Sequence, residues 1–141
     1  MEKLFVDTDI ILDLLAKREP HYKYAATIFS LADQREIKLF VSSLSFANLN
    51  YILSKQYNAN NARKKLIAFK TLTTVLAVND KIVELALASD FKDFEDGLQY
   101  YTATENNISK LITRNLKDFK TADIIVMTAE QFLKNKAPSV P

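Results

Sequence analysis

The chain has 141 residues, 48% of them hydrophobic and 26% charged, with a formal net charge of +2, which is the balance of one globular domain with a real core. It contains no cysteine, one histidine and one glycine, which excludes disulfides, thiolate–zinc sites, any catalytic triad not built on His21, and the glycine-rich loops that cradle phosphates. No apolar run approaches the ~20 residues of a membrane span, and the amino terminus has no signal-peptide pattern, so a cytoplasmic protein is expected.

The first element is Lys3–Val6, an apolar run that stops on Asp7-Thr8-Asp9. Continuous aliphatic and aromatic residues mark a strand buried on both faces. A helix follows over Ile10–Lys17, with Asp9 as a first-turn acid suited to the helix dipole and Asp13 as a solvated or supporting acid. His21, beside Pro20, reads as a surface or capping residue at the start of a helix that reaches Arg35. Tyr24, Ala25, Ile28, Phe29 and Ala32 mark its apolar face. Lys38–Val41 is the second strand. Two helices in succession, Ser45–Lys55 and Ala59–Thr71, precede the third strand, Thr74–Val78, and such an insertion can form an arm or lid. Helices over Asp80–Ser89 and Asp93–Asn106 lead to a fourth strand, Lys110–Thr113, and a polar stretch, Asn115–Asp118. Ile124–Met127 is the fifth strand, and Thr128 with Gln131 makes a capping box for the last helix. Residues 1–136 are expected to form a single domain and residues 137–141 a flexible tail.

Strands alternating with helices predict parallel pairing through right-handed crossovers, hence a three-layer α/β/α sandwich around a central parallel sheet. In such a sheet the carboxyl ends of all strands share one edge, where ligands bind. Asp7 and the Asn115–Asp118 turn fall there if their strands are neighbours. Asp96, about one turn inside a helix capped by Asp93, can point at the same edge. Carboxylates gathered in this way repel one another unless a cation is present, and an all-oxygen site suits Mg²⁺ or Mn²⁺. The chemistry implied is phosphodiester hydrolysis. Capping and turn formation are the structural alternatives for Asp96, Asp118 and Asn115.

Four stretches together resemble the motifs of PIN-domain ribonucleases, closest to the VapC toxins of bacterial toxin–antitoxin pairs. They are Leu4-Phe5-Val6-Asp7-Thr8-Asp9-Ile10-Ile11-Leu12-Asp13, Val41-Ser42-Ser43-Leu44-Ser45-Phe46-Ala47-Asn48-Leu49, Glu95-Asp96-Gly97-Leu98-Gln99, and Ile112-Thr113-Arg114-Asn115-Leu116-Lys117-Asp118-Phe119. The resemblance implies a Mg²⁺- or Mn²⁺-dependent ribonuclease with a site at Asp7, Asn48, Asp96 and Asn115, and Asp118 as a substitute in the fourth motif. Metal ligation then falls to Asp7, Asp96 and Asp118. The family usually has Glu where Asn48 stands and often Asp where Asn115 stands, and each amide removes a charge. The competing expectation is therefore a PIN-like domain that binds RNA or a protein without cutting.

Arg114, Lys117 and Lys120 flank the acids and are candidates for RNA phosphate contacts, with Lys17 and Arg18 extending the patch. Arg63-Lys64-Lys65 reads as either a solvated helix face or an RNA footprint. The resemblance also implies a small antitoxin partner and a homodimer, docked on the helices that carry Phe46, Tyr51 and Tyr57. The alternative is that these aromatics pack on the sheet.

Overall fold

A computed structural model describes residues 1–119 and 123–136. The expected tail after residue 136 lies outside the described residues, and so does Lys120. Five strands, β1 (Glu2–Val6), β2 (Ile37–Ser42), β3 (Thr73–Leu76), β4 (Lys110–Ile112) and β5 (Ile125–Met127), form one sheet in the order β3-β2-β1-β4-β5. Every pairing is parallel. The helices are α1 (Thr8–Leu15), α2 (Tyr22–Asp33), α3 (Ser43–Gln56), α4 (Ala59–Lys70), α5 (Asp80–Leu87), α6 (Phe94–Glu105) and α7 (Ala129–Asn135). The three-layer architecture expected from the alternation is the one observed.

Period-two alternation along the central strands divides the core. Leu4, Val6, Leu39 and Val41 pack with α1 to α4 and α7 on one face of the sheet. Phe5, Phe40 and Leu111 meet Tyr100, Ala103 and Phe119 on the other. A smaller cluster of Ile82, Ala86 and Leu98 joins α5 to α6. Both faces of β1 are therefore covered, which is why its sequence is apolar without interruption.

The paired helices α3 and α4 do not project as an arm. Leu49, Leu53, Ala62, Leu66 and Phe69 are buried in the larger core, and Phe46 packs against Phe69 at 5.8 Å. Tyr51 and Tyr57 lie outside that core, 62% and 37% exposed, each beneath a lysine, Lys55 and Lys65 respectively. A short 3₁₀ turn over Leu116–Phe119 follows β4; it is too brief to show a helical period in the sequence.

The sheet switches direction at its central strand. From β1 the chain moves to β2 on one side, while β4 returns to the other side of β1. The crevice at the carboxyl ends of β1 and β4 is the place where such a sheet leaves room for a ligand.

Candidate active site

Asp7 follows β1 directly and caps α1, accepting the Thr8 N–H at 2.8 Å. Its own N–H extends the ladder to Ile112 of β4, which fixes its backbone at the switch point. The second carboxylate oxygen accepts the Thr113 hydroxyl at 2.9 Å. Asp9, one residue inside α1, accepts the Arg114 backbone N–H at 2.9 Å. Its other oxygen, Oδ1, is buried with no hydrogen-bond partner. Asp96 enters from the opposite layer: Asp93 caps α6 by accepting the N–H groups of Glu95 and Asp96, which sets Asp96 in the first turn.

These residues line one cleft of about 470 Å³ together with Asn48, Asn115, Asp118 and Gln99. All five residues named from the sequence as the site, Asp7, Asn48, Asp96, Asn115 and Asp118, are thus brought together from four separate segments. They form a cleft, not a finished cage: among the described residues no three acidic or histidine side chains are already arranged to hold a metal ion. Lys117 lines the adjoining cavity with Asp96 and Asp118.

One expectation needs correction, the place of Arg114. Of the two readings given for Asp13, solvated or supporting, the structure agrees with the second: it is 1% exposed. It accepts two hydrogen bonds from the Arg114 guanidinium, at 2.8 Å from Nε and 3.1 Å from Nη2. Arg114 therefore lines a separate pocket behind α1 and does not line the acidic cleft. A buried carboxylate without a partner costs several kcal/mol, so the Arg114 guanidinium is held at Asp13 and away from the cleft.

The electrostatics follow from crowding. Burial, then the charge of Asp9, push the Asp7 carboxyl up to about 7, against the pull of its hydrogen bonds from Thr113 and Thr8. Burial, then Asp93, Asp118 and Glu95, push Asp96 up to about 7 as well. Asp9 is also raised, chiefly by burial. Such shifts follow from burying carboxylates beside one another, and they are common at functional sites.

Beneath the acids lies a polar cluster the sequence did not announce. Gln99 Nε2 donates to Thr8 Oγ1 at 3.2 Å and to Ser45 Oγ at 3.1 Å, and the two hydroxyls are 2.8 Å apart. This ties α1, α3 and α6 together under the cleft. Gln99 is 3% exposed, and its signal was a lone amide in the apolar stretch Leu98-Gln99-Tyr100.

A PIN domain family model matches residues 3–117. Ribonuclease VapC1 of Aquifex aeolicus (strain VF5) is 32% identical over 139 residues, 93% of each chain. Among solved structures, a toxin–antitoxin complex from Klebsiella pneumoniae superposes with a TM-score of 0.69 at 22% identity, covering 89% of this chain and 97% of that one. The sarcin–ricin-loop-cleaving toxin VapC20 of Mycobacterium tuberculosis gives 0.67 at 17% identity, covering 86% and 96%. At these identities the structural matches speak for the fold.

Proposed function

From the premise that this chain belongs to the PIN-domain family, in its VapC ribonuclease group, we propose that it is a metal-dependent endoribonuclease that hydrolyses RNA phosphodiester bonds in the acidic cleft. The observation that carries this reading is the meeting of Asp7, Asp9, Asp96 and Asp118 in one cleft at the sheet's switch point. Residues from four segments have no structural need to bring so much like charge together.

The donor set fits a hard divalent cation. Every candidate ligand is an oxygen, Asp9 Oδ1 is buried without a partner, and burial together with like charge raises Asp7 and Asp96. Asp7, Asp96 and Asp118 would hold Mg²⁺ or Mn²⁺, with Asp9 as a further ligand. When bound, the metal supplies charge neutralisation at the phosphate and a more acidic water. The protein's own part is to orient. Thr113 and the Thr8 N–H fix the Asp7 carboxylate from two sides, and the Arg114 N–H fixes Asp9. Asn48 and Asn115 each bring an amide, whose NH₂ donates to phosphate oxygens without adding to the repulsion between the acids. Lys117 and, beyond the described residues, Lys120 would meet the flanking phosphates.

The VapC relatives support a toxin role restrained by a small antitoxin, and we add a second copy of this chain as a partner; the exposed Tyr51 at the cleft and Tyr57 at the end of α3 are the surfaces we assign to these contacts. Purified protein incubated with labelled RNA and Mg²⁺ or Mn²⁺ tests the reading. Cleavage should fall about 100-fold or more, ~3 kcal/mol in barrier, for Asp7→Asn and for Asp96→Asn. Cleavage that persists in both variants would reject it.

A further inference from the structure

Behind α1 a second pocket, of about 310 Å³, opens between the start of α2, the start of α7 and Arg114. Ile10, Ala25 and Ala129 give it apolar surface, and Tyr24 and His21 give it aromatic surface. Its fixed polar edge is the Arg114 guanidinium. Asp13, 1% exposed, takes the Nε and one Nη2 proton, which locks the guanidinium plane and leaves the Nη1 donors uncommitted to that pair. Arg114, a lining residue of the pocket, therefore keeps guanidinium donors in a fixed plane for acceptor atoms of a ligand.

The charges say what kind of acceptor. With His21 neutral, the lining carries Arg114 against both Asp13 and Glu130, and Glu130 is held below the usual carboxylate range by Lys134 and Tyr24. Each acid is thus already paired with a base, Asp13 with Arg114 and Glu130 with Lys134, and a phosphate would find no unpaired charge among the described lining residues to hold it. A neutral ring needs none, and the aromatic walls favour one. The pocket also lies beside the cleft in the chain: Arg114 lines it, while Asn115, the next residue, lines the cleft.

We propose that this pocket takes one unpaired guanine of the RNA, with its ring against Tyr24 and His21 and its O6 and N7 acceptors toward Arg114. Single-stranded RNA is read by splayed bases stacked on such side chains, and arginine pairs best with the O6/N7 edge of guanine. Adenine offers a donor where O6 would be, and pyrimidines lack the double acceptor edge. The assignment rests on the ribonuclease reading for the source of the base and adds a sequence preference to it.

Two experiments decide the matter separately. In the first, guanosine, adenosine, cytidine and uridine are titrated into the metal-free protein while the Arg114 Nε–H and Tyr24 ring resonances are followed by NMR. Guanosine should bind about fivefold or more tightly than the others. Tyr24→Phe should keep that binding, whereas Tyr24→Leu and His21→Ala, checked for unchanged melting, should each weaken it. In the second, cut sites are mapped on a mixed-sequence RNA. Guanine should be enriched at one fixed offset from the cut, and Tyr24→Leu should flatten that enrichment. Equal responses to all four nucleosides would overturn the proposal. So would a response confined to other residues, or one seen only with an arginine-containing peptide, which would give the pocket to a protein partner. If no RNA is cut, the nuclease reading fails, and the nucleoside titration still decides the pocket.

Discussion

Gln99 connects the chemistry of the cleft to its architecture through two hydrogen bonds. Its Nε2 bridges the hydroxyls of Thr8 and Ser45, while its Oε1 is buried with no partner. Replacing it with the similarly shaped methionine removes two bonds of about 1 kcal/mol each and also removes an orphaned acceptor that costs about as much. Gln99→Met should therefore change the melting temperature little, within about 1 kcal/mol of stability. Thr8 lies between Asp7 and Asp9, Ser45 one turn before Asn48, and Gln99 one turn after Asp96. Loosening the bridge should let these groups drift and lower kcat about tenfold with KM for RNA nearly unchanged, as steady-state cleavage assays would register. A drop in melting temperature that accounts for the whole loss would make Gln99 merely structural. Asp7, Asp96 and Asp118 were legible because each closes or opens a patterned segment, whereas Asp9 read only as a first-turn acid of its helix. The Gln99 bridge and the Asp13–Arg114 pair were not, because their partners lie 54 to 101 residues away in sequence, and periodicity carries no information at that range.

At the level of elements, the strands were the easiest to read. A parallel strand buried on both sides is a short unbroken apolar run, and all five runs named from the sequence became strands within a residue or two. The arm expected at α3–α4 was not observed, since two helices in succession say nothing about whether their apolar faces turn to the sheet or to a partner. Gly97 tests whether a neighbouring element dictates a residue's size. It lies in the first turns of α6 beside Asp96, where α6 packs on α5. An added Cβ would meet the Ala86 Cβ at 3.4 Å, and the Phe91 Cβ and Ser89 Oγ at 3.5 Å, all at ordinary contact. Glycine is thus not needed for space there, and it weakens the helix by about 0.5–1 kcal/mol relative to alanine. Gly97→Ala should be stabilising by about that amount in chemical denaturation while keeping cleavage activity. Destabilisation would show that α5 and α6 are closer than their Cβ atoms indicate.

For the molecule as a whole, the acidic cleft is a liability that a divalent cation relieves, and pH reveals it. Folded Asp7 and Asp96 hold their protons to about pH 7, whereas in the unfolded chain they lose them near 3.8, the ordinary value of a free aspartate. Between those limits the folded state binds more protons, so the contribution of these groups to stability is fully present below about pH 4 and is lost as pH rises toward 7. Comparison with Asp7→Asn isolates one group. The variant, an uncharged mimic of the protonated acid, should melt above wild type at pH 8 when metals are chelated, and by a clearly smaller margin at pH 5. Adding Mg²⁺ or Mn²⁺ should narrow that gap by raising the wild type. A cation at ten times its Kd stabilises the wild type by about 1.4 kcal/mol. The gain should shrink at pH 5, where protons compete for the same oxygens, and should be absent in Asp7→Asn at either pH. Thermal melts at the two pH values, with chelator or metal, read all of this without any RNA. A wild type that melts no lower than Asp7→Asn at pH 8 in chelator would mean the carboxylates are relieved within the protein itself, and the cleft would then have no need of an ion.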